Sequence, residues 1–143
     1  MDEMRGRYVD EINEGMTAVF AKTVTEADII LFAGISGDTN PVHLDEDFAK
    51  TTLFKGRIAH GMLTAGFIST VFGTKLPGPG CIYLSQSLKF KAPVRIGDTV
   101  LARVTATNVD QGRGRVTFET TAHVGETLVM DGEAQLLVPK RPS

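Results

Sequence analysis

Residues 60–73, HGMLTAGFISTVFG, predict a helix whose apolar side chains lie around its whole circumference rather than along one stripe. These side chains are Met62, Leu63, Phe67, Ile68, Val71 and Phe72. A helix that is apolar on all sides is normally buried. Complete burial of these six side chains would contribute at most about 9–18 kcal/mol. The rest of the chain must therefore supply a surface that encloses this helix.

The second half of the chain supplies that surface, because four successive segments alternate between apolar and polar residues. The segments are 82–92, 98–108, 115–124 and 127–138. Their expected inward positions are Ile82, Leu84, Leu88, Phe90 and Ala92; Val100, Ala102, Val104 and Ala106; Val116, Phe118, Ala122 and Val124; and Leu128, Met130, Ala134, Leu136 and Val138. This alternation predicts an antiparallel sheet with one solvated face. We expect an α+β fold in which the sheet bends around the long helix.

The segments before the long helix predict shorter elements. Residues 16–24 are typical of a strand, and Thr25 with Asp28 forms an approximate capping box for a helix that ends at Gly37. Asp45 is expected to cap a further short helix that turns Phe48 and Ala49 inward.

The size and composition predict a single domain over residues 1–143, with residues 1–14 as a polar N-terminal extension. Hydrophobic residues make up 42% of the chain, enough for a core, and the net charge of −2 without a basic block gives no support for binding nucleic acid or an anionic membrane.

Cys81 is the single cysteine, which fits a reducing compartment. The polar start resembles no secretory signal, and residues 58–73 are too short and polar to span a bilayer, so we expect a soluble cytoplasmic protein.

A bent open sheet leaves edge strands that need a partner. We therefore expect a homodimer in which two sheets join edge to edge and the long helix of one subunit faces loops of the other. A ligand channel forms more easily between two such small subunits than within one.

The loop at residues 34–47, GISGDTNPVHLDED, brings Asp38, Asn40 and His43 within six positions. One interpretation is an ordinary turn, since Asp, Asn and Pro are frequent turn residues. The other is an acid/base pair, in which the Asp38 carboxylate and the His43 imidazole hold and deprotonate a water molecule while Asn40 orients the loop. Both interpretations remain open from these residues alone.

His60 and Gly61 stand at the start of the long helix. Gly61 either permits close packing there, with His60 near a helix cap, or its free N–H group holds an oxyanion such as a polarised thioester oxygen.

Other chemistry has weaker support. A metal site would draw on Asp38, His43, Asp45, Asp47 and His60, yet no established ligand spacing is present, so we expect no metal.

No G-x-S-x-G motif indicates a serine nucleophile, and Ser69 lies inside the long helix, where its hydroxyl either bonds a backbone carbonyl or reaches a ligand channel. The remaining candidates are given ordinary structural roles: Cys81, His123, and the surface cations Arg57, Lys89, Lys91 and Arg95, which could alternatively meet coenzyme A phosphates.

The stretch FAGISGDTNPVHLDEDFA, residues 32–49, resembles the signature of the R-specific enoyl-CoA hydratases, the hydratase-2 or MaoC-like group. The matching positions are Phe32, Ile35, Ser36, Gly37, Asp38, Asn40, Pro41, Val42, His43 and Ala49. The segments GRIAHGML (56–63) and YLSQSLKFKAPVRIGD (83–98) are also similar to this family, so the resemblance spans about residues 17–138.

The resemblance implies the hot-dog fold and the addition of water to trans-2-enoyl-CoA, giving (R)-3-hydroxyacyl-CoA. It implies that Asp38 and His43 are the catalytic pair, that Gly61 donates to the thioester oxygen, that Ser69 lies near the substrate, and that Asn40 orients the loop. An acyl-CoA is then the substrate, and no cofactor is expected.

Two alternatives remain at this stage, an acyl-CoA thioesterase on the same fold and a non-catalytic acyl-binding domain. The acyl chain length, the pathway (polyhydroxyalkanoate supply, fatty-acid oxidation or another route) and the choice between coenzyme A and acyl carrier protein stay open.

Overall fold

The computed structural model describes residues 2–143. In chain order its main elements are β1 (Thr17–Thr23), α1 (Glu26–Ser36), α2 (Pro41–Leu44), α3 (Glu46–Lys50), α4 (Gly61–Thr74), β2 (Ile82–Gln86), β3 (Lys89–Phe90), β4 (Thr99–Asp110), β5 (Arg115–Val124) and β6 (Thr127–Leu137). Two 3₁₀ turns, Asp2–Met4 and Val9–Glu11, precede them. Within residues 2–143, every helix is too short or too polar to pass through a bilayer.

The strands of the described chain form one antiparallel sheet in the order β1-β4-β5-β6-β2, with β3 also pairing with β6. Helix α4 packs across β1, β4 and β5. The inward positions predicted for β4 are all buried, and so are most of those predicted for β5 and β6. The predicted α+β architecture is therefore confirmed, because the alternation places one apolar face of the sheet against the helix.

The side of α4 that faces the sheet carries the centre of the core. Phe67, Ile68, Val71 and Phe72 are buried, and the Phe72 ring meets the Phe118 ring edge to face at 4.9 Å between centroids. The prediction that α4 is buried on all sides is wrong for the single chain, because Met62 is 57% exposed. Leu63 is half-buried, and the open side of the helix continues along Gly66, Ser69 and Gly73.

The segment 82–92 also differs from its prediction. It forms two short strands with a bulge between Tyr83 and Ser85 rather than one continuous strand. Ile82 is 55% exposed, Leu84 43% and Phe90 54%, although all three were expected to face the core. The physical reason is that β2 and β3 lie at the edge of the sheet, beyond the area that α4 covers.

The segment before α4 follows most of its capping signals. The Thr25 side chain accepts from Asp28 N–H and the Asp28 carboxylate accepts from Thr25 N–H, so the capping box is confirmed. Gly37 ends α1 in the left-handed region at φ 80°, as predicted. Ala49 is buried, whereas the inward placement of Phe48 is wrong, because α3 has five residues and turns only one of them toward the core.

The N-terminal segment is more closely packed than a polar extension would be. Val9 and Ile12 are buried in the main cluster of apolar side chains. Backbone N–H groups of Gly6 and Arg7 donate to carbonyls in the 77–79 turn. The described part of the segment therefore packs beside the turn that follows α4, and Met1, which belongs to the predicted extension, lies outside the described residues.

Gly132 in β6 is predicted to be required because the connection between β2 and β3 passes close to β6 at this residue. A methyl group at this position would overlap the backbone carbonyl of Ser87, which cannot move away as a flexible side chain could. We expect Gly132→Ala to lower the free energy of unfolding by about 1–3 kcal/mol, as measured by urea denaturation.

Gly34→Ala is the matched control, because Gly34 lies in α1 with open space around its Cα. Alanine there is expected to raise the free energy of unfolding by about 0.5–1 kcal/mol. Equal stabilities of the two variants would contradict the close approach at Gly132.

Candidate active site

The loop that leaves α1 is held by hydrogen bonds within itself. Asp38 N–H donates to Ser36 Oγ at 3.1 Å, and Asn40 N–H donates to Asp38 Oδ1 at 3.2 Å. Asn40 Oδ1 then accepts from Val42 N–H at 3.1 Å and caps α2. One carboxylate oxygen of Asp38 is thereby oriented by the loop, and the other, Oδ2, is left to face His43.

His43 lies in α2, is only 7% exposed, and has a defined orientation. Its Nδ1 is 2.8 Å from the carbonyl oxygen of Ile58. A carbonyl oxygen can only accept, so Nδ1 carries the proton and Nε2 of the neutral ring carries the free lone pair. Nε2 is 4.0 Å from Asp38 Oδ2. A single water molecule with hydrogen bonds of about 2.8 Å can reach both atoms at once.

Burial is the largest influence on the His43 pKa and lowers it below the ordinary value of 6.5. The Ile58 carbonyl raises the pKa, neighbouring His60 lowers it, and the Asp38 charge raises it, with burial prevailing. His43 is therefore neutral near pH 7, in the form that can accept a proton at Nε2.

His60 is buried behind this pair. It is 1% exposed, its Nε2 is 2.9 Å from the backbone carbonyl oxygen of Asp38, and its ring stacks on the His43 ring at 3.8 Å between centroids. The sequence placed His60 beside the site but gave it no contact with Asp38 or His43. Local spacing carries no signal for this contact, because the two histidines are 17 positions apart and meet only in the folded chain.

Gly61 is the first residue of α4, so its N–H is among those without an acceptor inside the helix. A methyl group at Gly61 would lie 2.6 Å from Cε1 of Phe90. Glycine therefore lets Phe90 lie against the start of the helix, and the positive end of the helix dipole is directed toward this region.

A cavity of about 520 Å³ lies beside Asp38 and the start of α4. Asp38, His60 and Gly61 contribute to its wall, as does the cation Lys91. The other walls are mainly apolar: Leu53, Phe54, Ile58, Met62, Phe90, Ala92, Pro93, Val94, Val129 and Met130. This volume and lining suit an acyl chain with a few polar groups at one end.

Asp38, His43 and His60 also form a group whose possible metal-ligand atoms lie within 4.8 Å of one another. The two imidazole planes are nearly parallel, at 28°, so their in-plane lone pairs do not converge on one ion. His43 Nδ1 and His60 Nε2 are moreover occupied by carbonyl oxygens. Asp45 caps α3, and Asp47 lies on the exposed side of that helix. These residues fit a metal poorly, and its absence stays a prediction.

Three predicted site residues are absent from the cavity wall, among them His43, which reaches the site through its 4.0 Å separation from Asp38 Oδ2. Ser69 is on the open side of α4, and Asn40 acts through the loop that carries Asp38. Their roles toward a substrate stay predictions.

Two of the candidate cations, Arg57 and Arg95, have structural contacts. Arg57 pairs with Glu26 and donates to the His43 carbonyl, and Arg95 donates to the Phe54 carbonyl. Burial raises the pKa of the Cys81 thiol, which makes it a weak nucleophile at neutral pH.

Comparison with known proteins gives consistent similarities. The chain is 59% identical to an (R)-specific enoyl-CoA hydratase of Rhodospirillum rubrum, over 98% of this chain and 97% of that protein. The structure of an unliganded R-hydratase from Pseudomonas aeruginosa is similar with a TM-score of 0.88 and 41% identity, over 95% of this chain and 88% of that one. The (R)-hydratase of A. caviae involved in PHA biosynthesis has a TM-score of 0.87 and 42% identity, over 90% and 98% of the two chains.

These similarities confirm the hot-dog fold predicted from the sequence. The family model described as MaoC like domain matches residues 8–127, which include the Asp38 loop, α4 and most of the sheet. The chain therefore belongs to the MaoC-like domain family.

Proposed function

We propose that this chain is an (R)-specific enoyl-CoA hydratase, a hydro-lyase that adds water reversibly to trans-2-enoyl-CoA and forms (R)-3-hydroxyacyl-CoA. The observation that carries the proposal is the 4.0 Å separation of Asp38 Oδ2 and the unprotonated His43 Nε2 beside an acyl-sized cavity. The named relatives support the same reaction class.

The reaction needs a water molecule to lose one proton and the substrate to gain another. Asp38 and His43 hold the water, its oxygen bonds to C3, and one of the pair takes the proton that it releases. The π electrons of the C2–C3 bond move toward the thioester oxygen, and a proton from the same pair returns to C2. Because both additions come from one face, the stereochemistry is syn.

The thioester oxygen gains negative charge during this step. The N–H of Gly61 is suited to stabilise it, since it is an unused donor at the positive end of α4. Neither metal nor cofactor is required. An acyl-CoA is the proposed substrate, and the single cysteine fits a reducing cytoplasm.

A homodimer is the proposed assembly. The open side of α4 exposes Met62, and edge strand β2 exposes Ile82 and Leu84. The outer side of β2 has no pairing strand within residues 2–143. A second copy would cover these apolar side chains, pair the free edge and close the open side of α4.

We expect Asp38→Asn and His43→Asn each to lower kcat/KM for crotonyl-CoA by about 10²–10⁴-fold, because each removes a proton-transferring group. Loss of the absorbance of the conjugated enoyl thioester measures the reaction. Asp47→Asn and His123→Asn are matched controls outside the cavity and should retain activity.

Folded Asp38→Asn and His43→Asn proteins with unchanged turnover would refute the assignment. A thiol reagent in the same assay separates the thioesterase alternative, since a hydratase leaves the thioester intact.

The lowered His43 pKa predicts a specific pH dependence. We expect kcat/KM to fall as the pH drops through the folded-state pKa, with the acidic midpoint below 6.5. The unfolded chain binds this proton at about pH 6.5, so it binds more protons than the folded chain between the two pKa values. The free energy of unfolding therefore falls as the pH is lowered through that window.

A pH series of urea unfolding, run on the unmodified protein and on His43→Asn, measures the stability effect. The decrease should be smaller in the variant. A kinetic midpoint above 6.5 would contradict the burial argument.

The dimer predicts that Ile82→Glu lowers the mass in sedimentation toward that of one chain, because it places a charge on the proposed contact. Met4→Glu is the control, since Met4 is another exposed apolar residue, at 69%, but lies in the N-terminal turn. Equal masses for the two variants would place the interface elsewhere, and a monomeric unmodified protein would refute the dimer.

A further inference from the structure

His60 is a buried polar residue that the proposed reaction does not use. Its side chain is as buried as the apolar core around it, with the Phe32 ring at 4.8 Å on one side and the His43 ring at 3.8 Å. Its Nε2 bonds the Asp38 carbonyl, whereas its Nδ1 has no hydrogen-bond partner among the described residues. A buried imidazole with one satisfied nitrogen requires an explanation.

Helix capping does not explain it. His60 occupies the N-cap position of α4, but its side chain makes no hydrogen bond to an N–H of that helix. The ring is directed instead at the loop that carries Asp38, 22 positions earlier in the chain.

The contacts of His60 connect all three groups of the proposed reaction. Its Nε2 donates to the Asp38 peptide, its ring supports the His43 ring, and its backbone continues directly into Gly61. We propose that His60 is a positioning residue, which holds Asp38 and His43 one water molecule apart and at a fixed position relative to the N–H of Gly61. This inference rests on the proposed hydratase function for its kinetic consequences, but not for its structural ones.

The unpartnered Nδ1 identifies which part of the imidazole matters. A replacement needs to reproduce only the donor at Nε2. The amide nitrogen of glutamine is separated from Cβ by the same number of bonds as His Nε2, whereas that of asparagine corresponds to Nδ1. Glutamine can therefore reach the Asp38 carbonyl, and asparagine cannot.

The kinetic test compares His60→Gln with His60→Asn. We expect His60→Asn to lower kcat for crotonyl-CoA by about 10²-fold, with KM nearly unchanged, because a small displacement of the reacting groups is costly. His60→Gln should retain most of kcat. His60→Met fills the buried space but has no donor, so its kcat should equal that of His60→Asn. It takes the place of His60→Asn in the comparison if the asparagine variant does not fold.

A double-mutant cycle tests whether His60 acts through Asp38. In the Asp38→Asn background, His60→Asn should cause little further loss, since the group that it positions is already absent. Full additivity of the two losses, or equal kcat values for the glutamine, asparagine and methionine variants, would overturn the proposal.

Amide hydrogen exchange measured by NMR tests the positioning without any substrate. We expect His60→Asn to accelerate exchange at Asn40 and Val42 at least about tenfold and His60→Gln to leave it nearly unchanged, because the loop loses its anchor only in the former. Unaltered exchange in folded His60→Asn would overturn the proposal. An unmodified protein that fails to hydrate crotonyl-CoA would refute the proposed function alone, and the exchange result would then decide the role of His60.

Discussion

The packing of α4 on the apolar face of the sheet is the constraint on which the rest of the molecule depends. Phe67, Ile68, Val71 and Phe72 fix both the height and the rotation of this helix above β1, β4 and β5. The first residue of the helix, Gly61, is consequently held at the cavity wall. Hydrophobic burial at a distance from Asp38 and His43 thus determines the position of the Gly61 N–H, which has no acceptor within the helix.

The loop that carries Asp38 reaches the same point from a separate part of the chain. Hydrogen bonds within the loop orient the Asp38 carboxylate. The Ile58 carbonyl accepts from Nδ1 of His43 and so selects the tautomer of that ring. Burial of the ring then keeps it neutral near pH 7. Polar contacts therefore set the protonation state of the pair, and apolar packing sets the position of Gly61, so both are needed to bring Asp38 and Gly61 to one cavity.

Local patterns in the sequence were sufficient for features with local causes. The capping box at Thr25, the stop at Gly37 and the alternation in β4 depend on near neighbours, and all are found as predicted. Features that depend on distant neighbours were predicted poorly. Ile82 and Phe90 alternate like core residues but lie beyond the cover of α4, and His60 shows its contact with Asp38 only after folding. Periodicity reports which face is apolar, but not what covers it.

The close approach of Phe90 to Gly61 limits how this site can diverge among related proteins. One ring serves both as a wall of the cavity and as the neighbour that forbids a side chain at the start of α4. Trimming this ring to admit bulkier acyl groups would also expose the adjacent Gly61 amide to bulk water and weaken the stabilisation that we propose for the thioester oxygen. Broader substrate range is therefore more readily acquired by changing other apolar residues of the cavity wall, such as Leu53 and Phe54, than by changing the ring that crowds Gly61.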